Sequence, residues 1–247
     1  MGNNVIAVWG SPSSGKTATS MKLARELEAA KKNVAVIFAD LFCPVLSAVV
    51  PWVDIKNRTL GSLLSKPHIR QPDIMQAAIP CPNHGRVALI GYKNGDNIFT
   101  YSEYLAERVD QFISELRGVA DFAIIDCSSV LTEDGFSTIA LQKADRVLRL
   151  HGADLKSFSY FTSHLPLISR AKFKLGGHVN VLSNVKPGQE EGAFRSAYGG
   201  AAYTLPHVKA LEQQSYSAGL LDPLCGRDAK KYNAEIKKMA RAVFELE

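Results

Sequence analysis

The sequence predicts an α/β fold built on a mostly parallel β-sheet covered by helices on both faces. Three observations lead there. Short apolar runs recur along the 247 residues, separated by segments with helical periodicity, and strands alternating with helices form parallel βαβ units whose sheets are buried on both sides. Two of those runs, 34–38 and 122–125, lead into the acids Asp40 and Asp126. The first run leads instead into a glycine-bounded octapeptide, Gly10-Ser11-Pro12-Ser13-Ser14-Gly15-Lys16-Thr17, after which a helical pattern begins.

Residues 4–9, Asn-Val-Ile-Ala-Val-Trp, read as a buried strand, and residues 17–30 place Ala18, Met21, Ala24 and Leu27 on one helical face. Residues 34–38 are a second apolar strand. From 44 to 82 the texture changes, because Pro44, Pro51, Pro67, Pro72, Pro80 and Pro82 break the chain into short pieces; one short helix is expected at 59–65. A third strand follows at 87–90. Thr100-Tyr101-Ser102-Glu103 has the pattern of a capping box, with Leu105, Val109, Phe112 and Leu116 at helical spacing behind it. Strands are expected at 122–126, 145–150, 178–183 and 202–205, and helices at 153–170, 207–215 and 227–244. No repeat, low-complexity tract or linker interrupts this order, so one domain over 1–247 is expected.

The octapeptide fits G-x-x-x-x-G-K-[ST], the phosphate-binding loop, and it has strand before and helix after as that motif requires. Loop N–H groups and a helix N-terminus together make an anion site. Gly10, Ser11, Ser13, Ser14, Gly15, Lys16, Thr17 and Ala18 are therefore the candidate phosphate cradle. Lys16 would reach the β- and γ-phosphates, and the Thr17 hydroxyl would ligate Mg²⁺. Asp126 ends its strand where a carboxylate holding Mg²⁺ belongs. Asp40 ends another strand and is read as orienting the attacking water or a Mg²⁺-bound water; a turn or helix-capping role is the competing reading. Neither Asn-Lys-x-Asp nor a similar guanine-reading motif occurs, which favours ATP over GTP.

Composition adds bounds. Hydrophobic residues at 46% and charged residues at 21% are ordinary for a globular protein. No apolar run approaches the roughly 20 residues that span a bilayer, and the N-terminus enters a strand without a secretory pattern. Cys43, Cys81, Cys127 and Cys225 are scattered without C-x-x-C, which suits free thiols in a reducing cytoplasm. Cys81 and His84 could offer two metal ligands, with no second pair to complete a site. The net charge of +5 permits attraction to nucleic acid or an anionic membrane. No H-E-x-x-H or G-x-S-x-G occurs, so nothing marks Cys127-Ser128-Ser129 as a nucleophile.

Taken in order, several segments resemble the MinD/ParA group of P-loop ATPases. They are Ala7-Val8-Trp9-Gly10 with Gly15-Lys16-Thr17, the 34–40 strand ending in Asp40, the 121–126 segment ending in Asp126, and Ala144-Asp145-Arg146-Val147-Leu148. Val181-Leu182-Ser183-Asn184 and Leu205-Pro206 complete the set. The likeness spans nearly the whole chain apart from the proline-rich stretch. It implies a P-loop near the sheet centre, Mg·ATP as cofactor, and a nucleotide-dependent homodimer acting on a protein partner. It also implies that Asn184 contacts adenine, where the residue by itself could equally cap the strand end, that backbone around Leu205, Pro206 and His207 encloses the base, and that 127–130 senses the γ-phosphate. Two positions depart from the group. Ser11 stands where a lysine usually reaches across the dimer, and Phe38 stands where the first of two acids is frequent. A cation at a transferring phosphate can contribute several powers of ten in rate, so slow hydrolysis is expected unless Arg146, Arg149 or Lys156 substitutes. Such an atypical loop resembles the CpaE/TadZ branch, which places pilus and secretion machinery.

The expected function is thus a slowly hydrolysing ATP switch that positions or regulates a secretion, partition or conjugation complex. The location expected is cytoplasmic, with peripheral attachment to the inner face of the membrane through a partner. The alternatives are a P-loop enzyme passing phosphate to a small acceptor, whose pocket only 44–82 could supply, and an ATP-binding scaffold with little hydrolysis. The C-terminal helix sets Ile236, Met239, Ala240 and Val243 against Lys237, Lys238 and Arg241; a face packed on the sheet is the favoured reading over contact with membrane or DNA.

Overall fold

The computed structural model describes residues 4–246. In chain order the elements are β1 (Val5–Gly10), α1 (Lys16–Ala29), β2 (Val34–Phe38), α2 (Leu46–Val49), α3 (Leu60–Leu64), α4 (Gln71–Ala77), β3 (Ile79–Cys81), β4 (His84–Gly91) and α5 (Ala106–Leu116). They continue with β5 (Phe122–Asp126), α6 (Phe136–Lys143), β6 (Arg146–His151), α7 (Leu155–His164), β7 (His178–Val185), α8 (Glu191–Ala197), β8 (Tyr203–Pro206), α9 (Lys209–Tyr216) and α10 (Ala229–Val243).

The strands form one eight-stranded sheet in the order β3-β4-β2-β5-β1-β6-β7-β8. Every pairing is parallel except β3 with β4. Alternation within β1 explains why its sequence is apolar throughout. Ile6 and Val8 enter a core with Met21 and Leu27 of α1 and Ile236 and Met239 of α10. Val5, Ala7 and Trp9 enter the opposite core with Phe112 and Ile113 of α5 and Phe161 of α7. Register then delivers the site: Val8 and Phe38 both lie beside Asp126, so the ends of β1, β2 and β5 reach one edge together. At the other end the Asp145 carboxylate accepts the N–H groups of Asn4 and Val5 and pairs with Arg117 at 2.7 Å, tying the start of β1 to α5 and β6.

Several expectations are corrected. The proline-rich stretch contains α2, α3, α4 and the antiparallel edge strand β3; Pro80 is exposed within β3, an edge position where its missing N–H costs no ladder bond. The Thr100 capping box does not form. Thr100 Oγ1 instead accepts the Asn97 N–H at 2.8 Å in a turn, and α5 begins only at Ala106, with Leu105 before it. The helix expected over 153–170 ends at His164, where Pro166 interrupts it and short 3₁₀ turns follow. Helix α6 escapes a periodicity argument because Phe136 through Leu141 are all buried, leaving no polar face. Helix α10 buries Tyr232, Ile236, Met239, Ala240 and Val243 while Lys237, Lys238 and Arg241 stay exposed, so its apolar face is the domain-side face and is already covered.

Candidate functional site

Gly10 ends β1 against β6: a side chain there would fall on the Leu150 carbonyl, so only glycine permits the loop to leave at that spacing. The loop closes with Gly15 in the left-handed region, φ 81°, as the residue capping α1. Ser13 shares that region at φ 62°, a conformation a non-glycine residue adopts only where its surroundings hold it. Part of that hold comes from β7, whose Ser183 hydroxyl donates to the Ser14 carbonyl at 2.7 Å.

Four side chains meet at the loop. Lys16 Nζ donates to Ser129 Oγ at 2.6 Å, and that hydroxyl donates to the Gly10 carbonyl at 2.8 Å. Thr17 Oγ1 donates to Asp126 Oδ2 at 2.6 Å. The other carboxylate oxygen, Asp126 Oδ1, is buried without a hydrogen-bond partner. Burial pushes the Asp126 carboxyl up to about 6, against the Thr17 hydrogen bond and the Lys16 charge that favour ionisation. An orphaned buried carboxylate oxygen beside a threonine hydroxyl is a hard oxygen donor set of the kind Mg²⁺ takes, so Thr17 and Asp126 fit the metal expected of them.

Asp40 lies close enough for its charge to raise the Asp126 carboxyl. Its Oδ1 accepts the N–H groups of Phe42 and Cys43 at 3.0 and 3.1 Å, the turn-forming arrangement open to an aspartate after a strand. The loop after β5 is secured from α7, where the Tyr160 hydroxyl donates to the Ser129 carbonyl at 2.6 Å.

Ser11 departs from expectation. It is only 2% exposed, and its hydroxyl shares a 2.9 Å hydrogen bond with Ser157 of α7, which itself accepts the Gly152 N–H at 2.7 Å. The hydroxyl therefore serves the loop's packing rather than the cradle. Of the candidate substitute cations, Arg146 pairs with Glu245 at 3.8 Å, burial lowers the Arg149 guanidinium, and Lys156 is exposed. None of the three lines the cavity described next.

A cavity of about 410 Å³ runs from the loop over the start of α1. Ser13, Gly15, Lys16, Thr17 and Ala18 line it together with Asn184, Pro206 and His207. Leu205 does not: it is fully buried in the core beneath, and only its place in the chain carries Pro206 to the wall. Asn184 occupies the left-handed region, φ 57°, where the β7–β8 register shifts. The wall also takes Val49 of α2, Leu211 and Glu212 of α9, and Tyr232 of α10, none of which the sequence marks as a site residue. Lys22 holds α9 in place by donating to Gln214 at 2.6 Å and to the Asp222 carbonyl at 2.8 Å, burial lowering its ammonium to about 8. A second cavity, about 690 Å³, lies among Tyr92, Tyr101, Tyr104, Leu105, Thr132 and Asp134. No residue of the 44–82 stretch lines this second cavity, whereas Val45, Ala48 and Val49 line the first.

The remaining motif residues have plain structural roles. His84 Nδ1 meets the Glu28 carboxylate at 2.6 Å, and all four cysteines are free thiols. No described helix is long and apolar enough to cross a membrane.

No protein-family model matches the sequence, and no curated protein does. Solved structures do. MinD of Pyrococcus horikoshii, complexed with Mg-ADP, shares 18% identity over 97% of this chain and 95% of its own, with a TM-score of 0.69. Apo McdA of Cyanothece shares 20% over 95% and 98%, TM-score 0.73. A ParA family ATPase of Chlorobium tepidum shares 14% over 96% and 98%, TM-score 0.72. End-to-end coverage at so little identity is a likeness of fold, and it agrees with the sheet order and central P-loop described above: the chain has the MinD/ParA P-loop ATPase fold.

Proposed function

We propose that this chain is a nucleotide switch that binds Mg·ATP, hydrolyses it slowly, and dimerises to position or regulate a partner complex. The observation that carries the reading is the junction of Lys16, Thr17, Ser129 and Asp126 on one sheet edge. Thr17 and Asp126 Oδ1 would hold Mg²⁺, which when bound neutralises phosphate charge and orients the phosphates. Lys16 exchanges its Ser129 contact for phosphate oxygens, a stronger charge-assisted bond. Ser129 is then released from the ammonium while its carbonyl stays tied to Tyr160, so nucleotide occupancy reaches α7 through one residue. A triphosphate shifts the population of loop arrangements only by binding one of them better, and the Lys16–Ser129 contact is a difference of that kind. Support for the nucleotide also comes from the relatives of like fold, MinD with Mg-ADP and McdA with ATP.

Light scattering with Mg²⁺ and either ATP or ADP tests the reading, with Lys16→Ala as control. A dimer formed with ATP alone and lost in the control is expected. One mass in all conditions would remove ATP-gated dimerisation and leave a constitutive scaffold or a phosphotransferase using the tyrosine-lined cavity. Phosphate release with and without candidate acceptors separates those two.

A further inference from the structure

The wall of the cavity beside the P-loop holds three polar side chains in series. His207 Nδ1 lies 2.9 Å from Asn184 Oδ1, and His207 Nε2 lies 3.9 Å from Glu212 Oε2. Glu212 is itself held, accepting the Tyr216 hydroxyl on Oε1 at 3.1 Å. All of Asn184, His207 and Glu212 line the cavity. The His207 backbone is anchored too, its N–H donating to the Val185 carbonyl at 2.8 Å.

We infer that His207, backed by Glu212, is a specificity-determining positioning residue that fixes the Asn184 amide in the orientation that accepts adenine and refuses guanine. The inference rests on the nucleotide-site reading above. An asparagine amide has one face of acceptor and one of donor character, and rotation by half a turn about its last bond exchanges them. The 2.9 Å contact ends that ambiguity in the imidazolium, whose Nε2–H faces the Glu212 carboxylate while its Nδ1–H holds Oδ1 inward and turns the Nδ2 group outward. Oδ1 keeps a second lone pair, and Nδ2 makes no hydrogen bond to another described residue. The pinned amide therefore offers one acceptor and one donor side by side, the match to adenine N6 and N7. Guanine presents two acceptors at O6 and N7, so one of them would face Oδ1 and stay unpaired. An unpinned amide can turn its donor to O6 and recover part of that loss. Base choice is thereby made by a histidine that the base need not touch.

Isothermal titration with ATP and with GTP, each with Mg²⁺, tests this in the full chain. The wild type is expected to prefer ATP, and His207→Ala to lower that preference about tenfold, the scale of one bidentate base contact, while ATP affinity itself falls much less. Asn184→Ala should lower the preference as far, and the double variant no further, because the two residues act through one amide. His207→Gln retains an N–H donor and should restore most of the preference; Glu212→Gln should lower it modestly. An unchanged ATP/GTP ratio in His207→Ala beside a reduced one in Asn184→Ala would overturn the inference and leave the switch reading standing. Equal wild-type affinity for ATP and GTP would do the same. A wild type that binds neither nucleotide would overturn both.

Discussion

Replacing Asp126 by asparagine should stabilise the metal-free, nucleotide-free protein while removing its Mg²⁺-dependent nucleotide binding. The carboxylate is 4% exposed, one of its oxygens has no partner, and its pKa rises from the ordinary 3.8 to about 6. A carboxyl whose folded value lies above its unfolded value binds more protons in the native state. Its stabilising contribution is therefore complete below pH 3.8 and is lost as the pH rises through about 6. That interval corresponds to about 3 kcal/mol, an upper figure for the relief gained by removing the charge at pH 7.5. Asparagine keeps an acceptor for the Thr17 hydroxyl but weakens a charge-assisted bond and removes the Asp126 charge that faces Lys16, so a net gain of about 1–2 kcal/mol is expected. Urea unfolding of both proteins in a chelator, from pH 5 to 8, measures it. The gap between variant and wild type should widen with pH and level off above pH 7. A variant less stable than wild type at pH 7.5, or a gap that does not change with pH, would refute the idea that this carboxylate is held at the expense of the fold.

Lys16→Ala should weaken ATP binding roughly 30-fold or more, the cost of deleting one side of a charge-assisted contact; its circular dichroism should be unchanged, because the side chain's hydrogen bond in the fold is to Ser129. Gly10→Ala should cost about 1–3 kcal/mol in chemical denaturation, since the added methyl meets the Leu150 carbonyl of a neighbouring central strand rather than a movable side chain. Ser11→Lys, which writes the group's usual cation into the loop, should lower the melting temperature, at about 2–4 kcal/mol for an ammonium in a buried position whose Ser157 partner is lost. It should not accelerate phosphate release; a faster variant with an unchanged melting temperature would show that the loop reopens freely.

What the sequence discloses of this molecule is what its local chemistry dictates. Val5 through Trp9 are apolar because both faces of β1 are covered, and Gly10, Gly15, Lys16 and Thr17 announce the loop because their spacing serves backbone geometry and phosphate together. What escapes it depends on residues far apart in the chain. Tyr160 is one aromatic among several on α7 until the fold sets its hydroxyl on Ser129, 31 residues away. Glu212 is an ordinary helical acid until α9 brings it to His207. The Thr100 capping box shows the converse: a correct local pattern loses when Tyr101 is claimed by Asp96 and Thr59, which hold the segment as a turn. Helix α8 buries none of its residues fully, so no hydrophobic period marks it.

The two departures from the MinD/ParA pattern have a common explanation in the fold. Ser11 is tied down to α7 through Ser157. Phe38 is 1% exposed within the core shared with Met21 and Leu46, and a side chain at Gly91 would press on its Cβ. Each position that the resemblance assigns to charge is used here for packing, and neither has room for an ionised side chain without moving its neighbours. A lysine at the first would be desolvated, and an acid at the second would stand unpaired in a hydrocarbon layer, which costs far more than it returns. In the proposed switch, turnover would rest on Lys16, Thr17 and Asp126, together with any cation that a second chain brought to the loop. The proposed switch is therefore expected to hydrolyse slowly as an isolated chain, since neither departure leaves a charge beside the transferring phosphate.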